Sequence, residues 1–232
     1  MSDERDERDV RDERDERDDQ AKIPAIAVLV SGRGSNLGAI FRAIEHGELH
    51  ARIALVISSR SDAPALEIAR QYGAETRVVA PKTFASRAEA GAVIVAALRD
   101  AEVEAVALAG YKPILDASVV AAFPGRILNV HPSLLPAFAG GMAPKPQTDA
   151  LAAGVKVSGC TVHVVTADVD AGPIVAQAAV PVLDDDTVET LSARILAEEH
   201  RLLPLALEWL LSGRLRIANG RALLAPAPVT QR

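Results

Sequence analysis

The chain has little of several things, and each shortage removes a class of explanation. There is a single cysteine, Cys160, in 232 residues, which excludes a disulfide framework and any metal site built from cysteines. No N-terminal signal-peptide pattern is present, so a cytoplasmic location is expected. No apolar run reaches the roughly 18 to 20 residues a membrane span needs; the best candidates, 25–30 and 103–109, are strand-sized. A membrane is not an expected partner. Excess charge is also missing once the chain is divided. The net charge of −6 belongs to residues 2–19, which hold eleven acids and five arginines, while the remainder balances twenty basic against twenty acidic residues. A body without a global field does not hold a polyanion, so nucleic acid is not expected either.

What is present falls into two parts. Residues 1–20 repeat Arg, Asp and Glu with one aliphatic side chain, Val10, and cannot bury enough surface to offset ordering entropy, so a disordered charged arm is expected. From residue 21 to 232 we expect one domain, with 49% of the whole chain hydrophobic. Its first half alternates short aliphatic runs with amphipathic stretches, the pattern of an α/β fold with an open, mostly parallel twisted sheet and Rossmann-like β-α units. Strands are expected near 25–30, 52–57, 76–79, 103–109 and 126–130. After His131 a loop rich in proline and glycine runs to about Gln147, then two β-rich runs, 159–166 and 174–182, pair as a hairpin. A long helix over 188–211 follows, and a short hairpin around Asn219-Gly220 ends the fold.

Two places carry chemistry. Ser31-Gly32-Arg33-Gly34-Ser35-Asn36 follows the first strand and opens a helix, gathering backbone N–H groups and the positive end of the helix dipole, which makes an anion site. The third glycine of a dinucleotide fingerprint is replaced by Leu37, and the second strand ends in Ser58-Ser59-Arg60 without an acid, so a monophosphate suits it better. Ser35 and Asn36 could alternatively serve only as helix caps. The second place is Asn129-Val130-His131-Pro132. Strand alternation puts Asn129 and His131 on one face at the carboxyl edge of the sheet, where open α/β sheets bind ligands. A carboxamide donor beside an imidazole is the equipment for acyl transfer to an amine. A carboxylate that orients the imidazole and raises its pKa is expected from Asp168 or Asp170, and spacing does not choose between them. His163 shares a face with Thr161 and reads as an ordinary strand histidine.

The stretches L-N-V-H-P-S-L-L-P (128–136), S-G-R-G-S-N (31–36) and D-A-G-P-I (170–174) resemble the phosphoribosylglycinamide formyltransferase family, over about residues 25–216. The resemblance implies the formyltransferase fold, divided into a phosphate-binding half to about residue 125 and a folate-binding, catalytic half beyond it. It implies transfer of a formyl group from 10-formyltetrahydrofolate to the amine of glycinamide ribonucleotide, in purine synthesis and without metal. By position it makes Asn129 and His131 catalytic and selects Asp170 as their carboxylate. It assigns Gly34, Ser35, Asn36 and Glu199 to the ribonucleotide, and Arg87, Lys112, Pro113, Ile114, Leu115 and Asn129 to the folate. Lys112-Pro113 departs from the family pattern, and Pro113 has no N–H to offer a pterin. Residues 139–147 form a longer loop than in many relatives, without their histidine, and are expected to cover the folate. A homodimer is compatible with all of this. The rival readings are a folate hydrolase, a transferase for another amine, a binding module with an idle site, and a nicotinamide-dependent dehydrogenase.

Overall fold

A computed structural model describes residues 23–226; the charged arm expected over 1–20 lies outside them. Five parallel strands form most of a seven-stranded sheet in the order β3-β2-β1-β4-β5-β6-β7. They are β1 (Ala25–Val30), β2 (Arg52–Ser58), β3 (Glu75–Val78), β4 (Ala105–Leu108) and β5 (Ile127–His131). The remaining two, β6 (Val157–Val164) and β7 (Ile174–Pro181), join antiparallel, β6 to β5 and β7 to β6. Every residue of β1 is buried, as a central parallel strand covered on both faces requires.

Alternate β1 side chains serve two cores. Ile26, Val28 and Val30 pack with Leu37, Ile40 and Phe41 of α1 (Ser35–Glu45) and with Leu191, Ile195, Leu203 and Leu207 of α6 (Val188–Leu211). Ala27 and Leu29 face Ile94 and Leu98 of α3 (Arg87–Asp100) and Val119 of α4 (Ala117–Ala122) on the other side. This is the period-two logic of a strand sandwiched between helix layers. Two further helices, α2 (Ala65–Gln71) and α5 (Lys145–Ala152), complete the α1 side. The sheet runs through both halves of the chain.

Local signals explain the boundaries. The Ser86 hydroxyl accepts from the Glu89 N–H and starts α3, while Thr187 and Thr190 form a reciprocal capping box at α6, each satisfying N–H groups that have no helical partner. The expected helix over 188–211 matches α6 at both ends. The expected hairpin is β8 (Leu215–Ala218) with β9 (Arg221–Leu224). Its Asn219 and Gly220 have φ of 50° and 71°, the left-handed pair that an Asn-Gly turn supplies. The expected loop to Gln147 ends early, because α5 begins at Lys145. Prolines at 144 and 146 masked that start, although proline is tolerated in a first helical turn, where N–H groups are unpaired. Among the described residues no helix is long and apolar enough to cross a membrane.

Candidate active site

The chain goes from β1 outward to β2 and β3, then returns to place β4 on the other side of β1. At the carboxyl ends of β1 and β4 the connections therefore diverge, leaving a crevice of the kind in which such sheets bind ligands. Ser31 ties its walls together. Its hydroxyl accepts the Lys112 N–H at 2.8 Å and shares a hydrogen with Ser59 Oγ at 2.6 Å, linking the loops after β1, β2 and β4.

One wall is the start of α1. Gly34 holds φ 81°, and a Cβ on it would stand 2.7 Å from Ala65 Cβ, so both conformation and space require glycine. The alternative role of Ser35 and Asn36 as caps is not taken up: Gly34 occupies the cap position, with no side-chain cap among the described residues. The first N–H to find a helical carbonyl is that of Gly38, 2.9 Å from Gly34 O. The N–H groups of Ser35, Asn36 and Leu37 thus remain available to an anion. Asn36 uses its side chain elsewhere, donating from Nδ2 to Glu199 Oε2 at 2.7 Å. Burial pushes the Glu199 carboxyl up to about 7, against the opposing hydrogen bond from Asn36. Asn36 Oδ1 is buried and has no hydrogen-bond partner among the described residues.

The other wall is β5 and β6. In their antiparallel register Asn129 stands opposite His163, and His131 opposite Thr161. Cross-strand neighbours share a face, so His163 joins the cluster. Asn129 Nδ2 lies 3.0 Å from His163 Nε2, and His163 Nδ1 lies 3.2 Å from the Val164 carbonyl oxygen. The carbonyl can only accept. In the tautomer this bond favours, the hydrogen is on Nδ1 and Nε2 receives one Asn129 N–H, while the second amide hydrogen meets no acceptor among the described residues; a hydrogen on Nε2 would instead face the Asp170 carboxylate. His163, read from sequence as an ordinary strand histidine, is therefore a neighbour of the reacting groups. The signal that finds it is the β5–β6 register, which a single strand's pattern does not contain.

Asp170 sits in the turn between β6 and β7 with φ 53°, a left-handed conformation that aspartate tolerates better than most residues. Two residues on, a Cβ on Gly172 would collide with the Val164 carbonyl, so the turn needs glycine to bring Asp170 this close to the sheet. The Asp170 carboxylate is 3.3 Å from His131 Nε2 and 3.6 Å from His163 Nε2. It also accepts the Gly140 N–H at 2.9 Å. Burial alone would raise this carboxyl, but His163, the Gly140 N–H and His131 together hold it below its ordinary value. Asp168 lines the same pocket with no such contact among the described residues, so that of the two aspartates Asp170 is the one that stands beside His131.

Both nitrogens of His131 face acceptors. Nδ1 is 3.0 Å from Ser133 Oγ, whose own hydrogen goes to the Ala137 carbonyl at 2.6 Å, and Nε2 is 2.8 Å from the Gly141 carbonyl. Such a shell suits the imidazolium. The His131 pKa is nonetheless lowered, first by burial and also by His163, against the raising influence of Asp170 and Gly141. Asp170 acts in the expected direction, since its charge raises the pKa, but desolvation of a nearly enclosed ring outweighs that charge and the net shift is downward.

The two walls enclose a pocket of about 360 Å³. Its lining includes Asn36, Glu199, Asn129, His131, His163 and Asp170, brought together from distant parts of the chain. Lys112, Pro113, Ile114 and Leu115 line it as expected. The Lys112 N–H is already committed to Ser31 and Pro113 has none, while those of Ile114 and Leu115 meet no acceptor among the described residues. Gly140 to Ala143 close one side, so the loop over 139–147 is stitched to the site by Gly140 and Gly141. Gly34 and Ser35 stand behind Asn36 and do not themselves line the pocket. Arg87 is the residue that geometry separates: it opens α3, its Nε 3.9 Å from Asp116 Oδ2, and it is not among the lining residues.

An amide donor, a buried imidazole with its carboxylate, and unpaired helix N–H groups at the switch point of an α/β sheet define an acyl-transfer site for an anionic substrate. Comparison with known proteins agrees. A family model described as formyl transferase matches residues 25–207, and the chain belongs to that family. It is 40% identical over 199 residues to the phosphoribosylglycinamide formyltransferase of Haemophilus influenzae, covering 86% of this chain and 92% of that protein. It is 44% identical over 194 residues to the trifunctional purine biosynthetic protein adenosine-3 of Gallus gallus, covering 84% of this chain but only 19% of that longer protein. The crystal structure of glycinamide ribonucleotide transformylase 1 from Symbiobacterium toebii superposes with a TM-score of 0.85 at 48% identity, covering 89% of this chain and 96% of that one.

Proposed function

We propose that this chain transfers the formyl group of 10-formyltetrahydrofolate to the amino group of glycinamide ribonucleotide, releasing tetrahydrofolate, as a step of purine synthesis in the cytoplasm. The observation that carries the reading is the pocket in which Asn129, His131 and Asp170 meet the Asn36–Glu199 pair at the start of α1. The names of the relatives supply the acceptor. Neither nucleic acid nor a membrane has a part in this reaction, and a homodimer would leave the pocket, formed within one chain, unchanged.

The ribonucleotide phosphate is received by the N–H groups of Ser35 to Leu37, behind the turn that Gly34 makes. Glu199, beside it, accepts hydrogen bonds from the ribose hydroxyls. The folate, a co-substrate, fits the pocket's apolar side: Leu108, Val130, Met142 and Val165 line it, and the N–H groups of Ile114 and Leu115 offer donors to a heterocycle. Arg87 reaches a folate only through its distal, charged end, if its ion pair with Asp116 opens.

Chemistry then belongs to three side chains. The amine nitrogen forms a bond to the formyl carbon, the bond from that carbon to the folate nitrogen breaks, and a proton moves from the one nitrogen to the other. Asn129 donates its free amide hydrogen to the formyl oxygen as negative charge grows there, a contact of about 3 to 4 kcal/mol at comparable sites. His131, neutral at rest because burial lowers its pKa, takes the amine proton and becomes the imidazolium that its acceptor shell and Asp170 suit. It returns the proton to the leaving nitrogen. Holding the two reactants together supplies up to about 7 to 11 kcal/mol, more than proton transfer alone.

The test is to follow tetrahydrofolate release from 10-formyltetrahydrofolate by absorbance, with and without glycinamide ribonucleotide. Release that needs the ribonucleotide and disappears in His131→Ala is expected. Equal release without acceptor would make the chain a hydrolase and overturn the reading.

A further inference from the structure

On the far side of α1 from the sheet, a second cavity of about 530 Å³ opens between α1 and α6, sharing no lining residue with the formyl-transfer pocket. Two facing stripes build it. On α1, Ala39, Arg42, Ala43 and His46 recur at helical spacing, and on α6 Ala197, His200, Arg201 and Pro204 do the same, so each set lies along one side of its helix. Small and apolar residues form the floor: Ala39, Ala43 and Pro204 are buried. The rim carries the guanidinium groups of Arg42 and Arg201 and the imidazoles of His46 and His200, with Glu48 the one acid among the described lining residues.

Three features of this groove are unspent. Arg201 is paired with Glu198 at 2.8 Å, but Arg42 has no ion-pair or hydrogen-bond partner among the described residues. Its guanidinium folds back along α1 over Gly38, where a Cβ would stand 3.4 Å from Nη1. His200 Nε2 is buried and has no hydrogen-bond partner among the described residues. Pro204, inside α6, has no N–H to return to the carbonyl of residue 200, four positions earlier. A lone guanidinium, an unsatisfied imidazole nitrogen and a released carbonyl therefore meet over an apolar floor.

We propose that this groove is a second ligand site, separate from the formyl-transfer pocket, that takes a phosphate monoester of the nucleoside 5′-monophosphate kind. The phosphate pairs with Arg42 at the rim and, as the His200 ring turns outward to meet it, with the Nε2 that is enclosed in the free chain, giving both groups an acceptor with negative charge. The uncharged body lies on the alanine and proline floor, and a hydroxyl or amino hydrogen of the ligand donates to the His200 carbonyl. Burial and the neighbouring Arg42 lower the His200 pKa in the free chain; an anion placed between the two reverses the second of these influences. The cavity exceeds what a bare phosphate fills, which is why an ester is favoured over the inorganic ion. Glu48 sets a limit on the charge at one end of the rim.

The experiment is an NMR titration of the full chain labelled at its histidine rings, of which there are five, with adenosine monophosphate in one series and inorganic phosphate in another. The His200 signal is assigned by its loss in His200→Gln. Adenosine monophosphate should shift the His200 and His46 signals saturably, with at least a tenfold weaker Kd in Arg42→Gln, and His131 and His163 report separately on any binding in the formyl-transfer pocket. Both variants sit on partly open helix faces, and unchanged formyl transfer in the absence of adenosine monophosphate shows that they fold. A response to both ligands would mean that the phosphate group suffices for entry; a response to the nucleotide alone would mean that the body is read as well. A static His200 signal, a response to inorganic phosphate only, or a shift that survives Arg42→Gln at full affinity would overturn the proposal.

Discussion

Asn36 on α1 and Glu199 on α6, 163 positions apart in sequence, are joined by a 2.7 Å hydrogen bond at the floor of the pocket. The bond closes the two ends of the fold over one ligand site, and it holds a carboxyl where water scarcely reaches. Glu199 is 7% exposed, and its pKa is raised to about 7 from an ordinary value of 4.5, with burial as the chief cause. The folded chain therefore keeps this proton over a range in which the unfolded chain has lost it. The associated stability is complete below the unfolded value and declines as pH rises toward about 7, by an amount on the order of 3 kcal/mol. Glu199→Gln retains an acceptor for Asn36 and has no charge to bury. Thermal unfolding compared between the two chains from acid to neutral pH should show the wild type losing ground to the variant as pH rises. Parallel curves would mean that Glu199 does not titrate in this window. In the same variant the KM for the ribonucleotide should rise by more than kcat falls, since the group is assigned to binding.

The amide of Asn129 and the ring of His163 make a second coupled pair. Asn129→Ala should lower kcat at least about a hundredfold with little change in stability, because it removes a donor to developing charge. His163→Ala leaves that donor in place but frees its orientation, so a smaller loss is expected, about tenfold, in kcat and not in KM. A double-mutant cycle separates the roles. If His163 acts only by aiming Asn129, the double variant is no slower than Asn129→Ala alone; additive losses would give His163 a role of its own.

How far the site is legible in the sequence depends on which relationships are local. Residues along one strand announce themselves by alternation, so the amino-acid pattern alone places Asn129 and His131 at the sheet edge. The α1 turn is equally visible, because a strand followed by two glycines and a helix has few other shapes. Spacing does not separate Asp170 from Asp168, since the choice depends on a left-handed turn and on Gly172 passing close under Val164. His163 is hidden for a related reason: only the β5–β6 register puts it opposite Asn129. The Asn36–Glu199 pair is out of reach, because no local pattern relates the start of α1 to the middle of α6. Arg87 is the reverse case, a residue suggested by position alone whose helix start holds it against Asp116.

Gly34 offers a test of the α1 wall. Its positive φ costs a side chain about 1 to 2 kcal/mol, and the collision with Ala65 adds to it. Gly34→Ala should lower the midpoint of chemical denaturation and weaken ribonucleotide binding together, because the same turn sets the first N–H groups of α1. A stable variant with normal KM would show that the loop tolerates rearrangement and that the phosphate is held elsewhere.

The pH profile tests the His131–Asp170 relationship most directly. With burial lowering the His131 pKa of the free chain below its ordinary 6.5, and a neutral imidazole needed to accept the amine proton, kcat/KM should rise on an acid limb whose midpoint lies under that value and then level off. Asp170 opposes the shift, since its charge stabilises the imidazolium at 3.3 Å. Asp170→Asn removes the charge with little change of shape. The midpoint should therefore move to lower pH while the plateau itself falls, the first because protonation is less favoured, the second because the imidazolium formed during transfer has lost its partner. A midpoint that moves upward would reverse the assigned sign of the interaction. One that stays in place with a lower plateau would confine Asp170 to holding the loop through its bond to Gly140, with no direct electrostatic hand in the reaction.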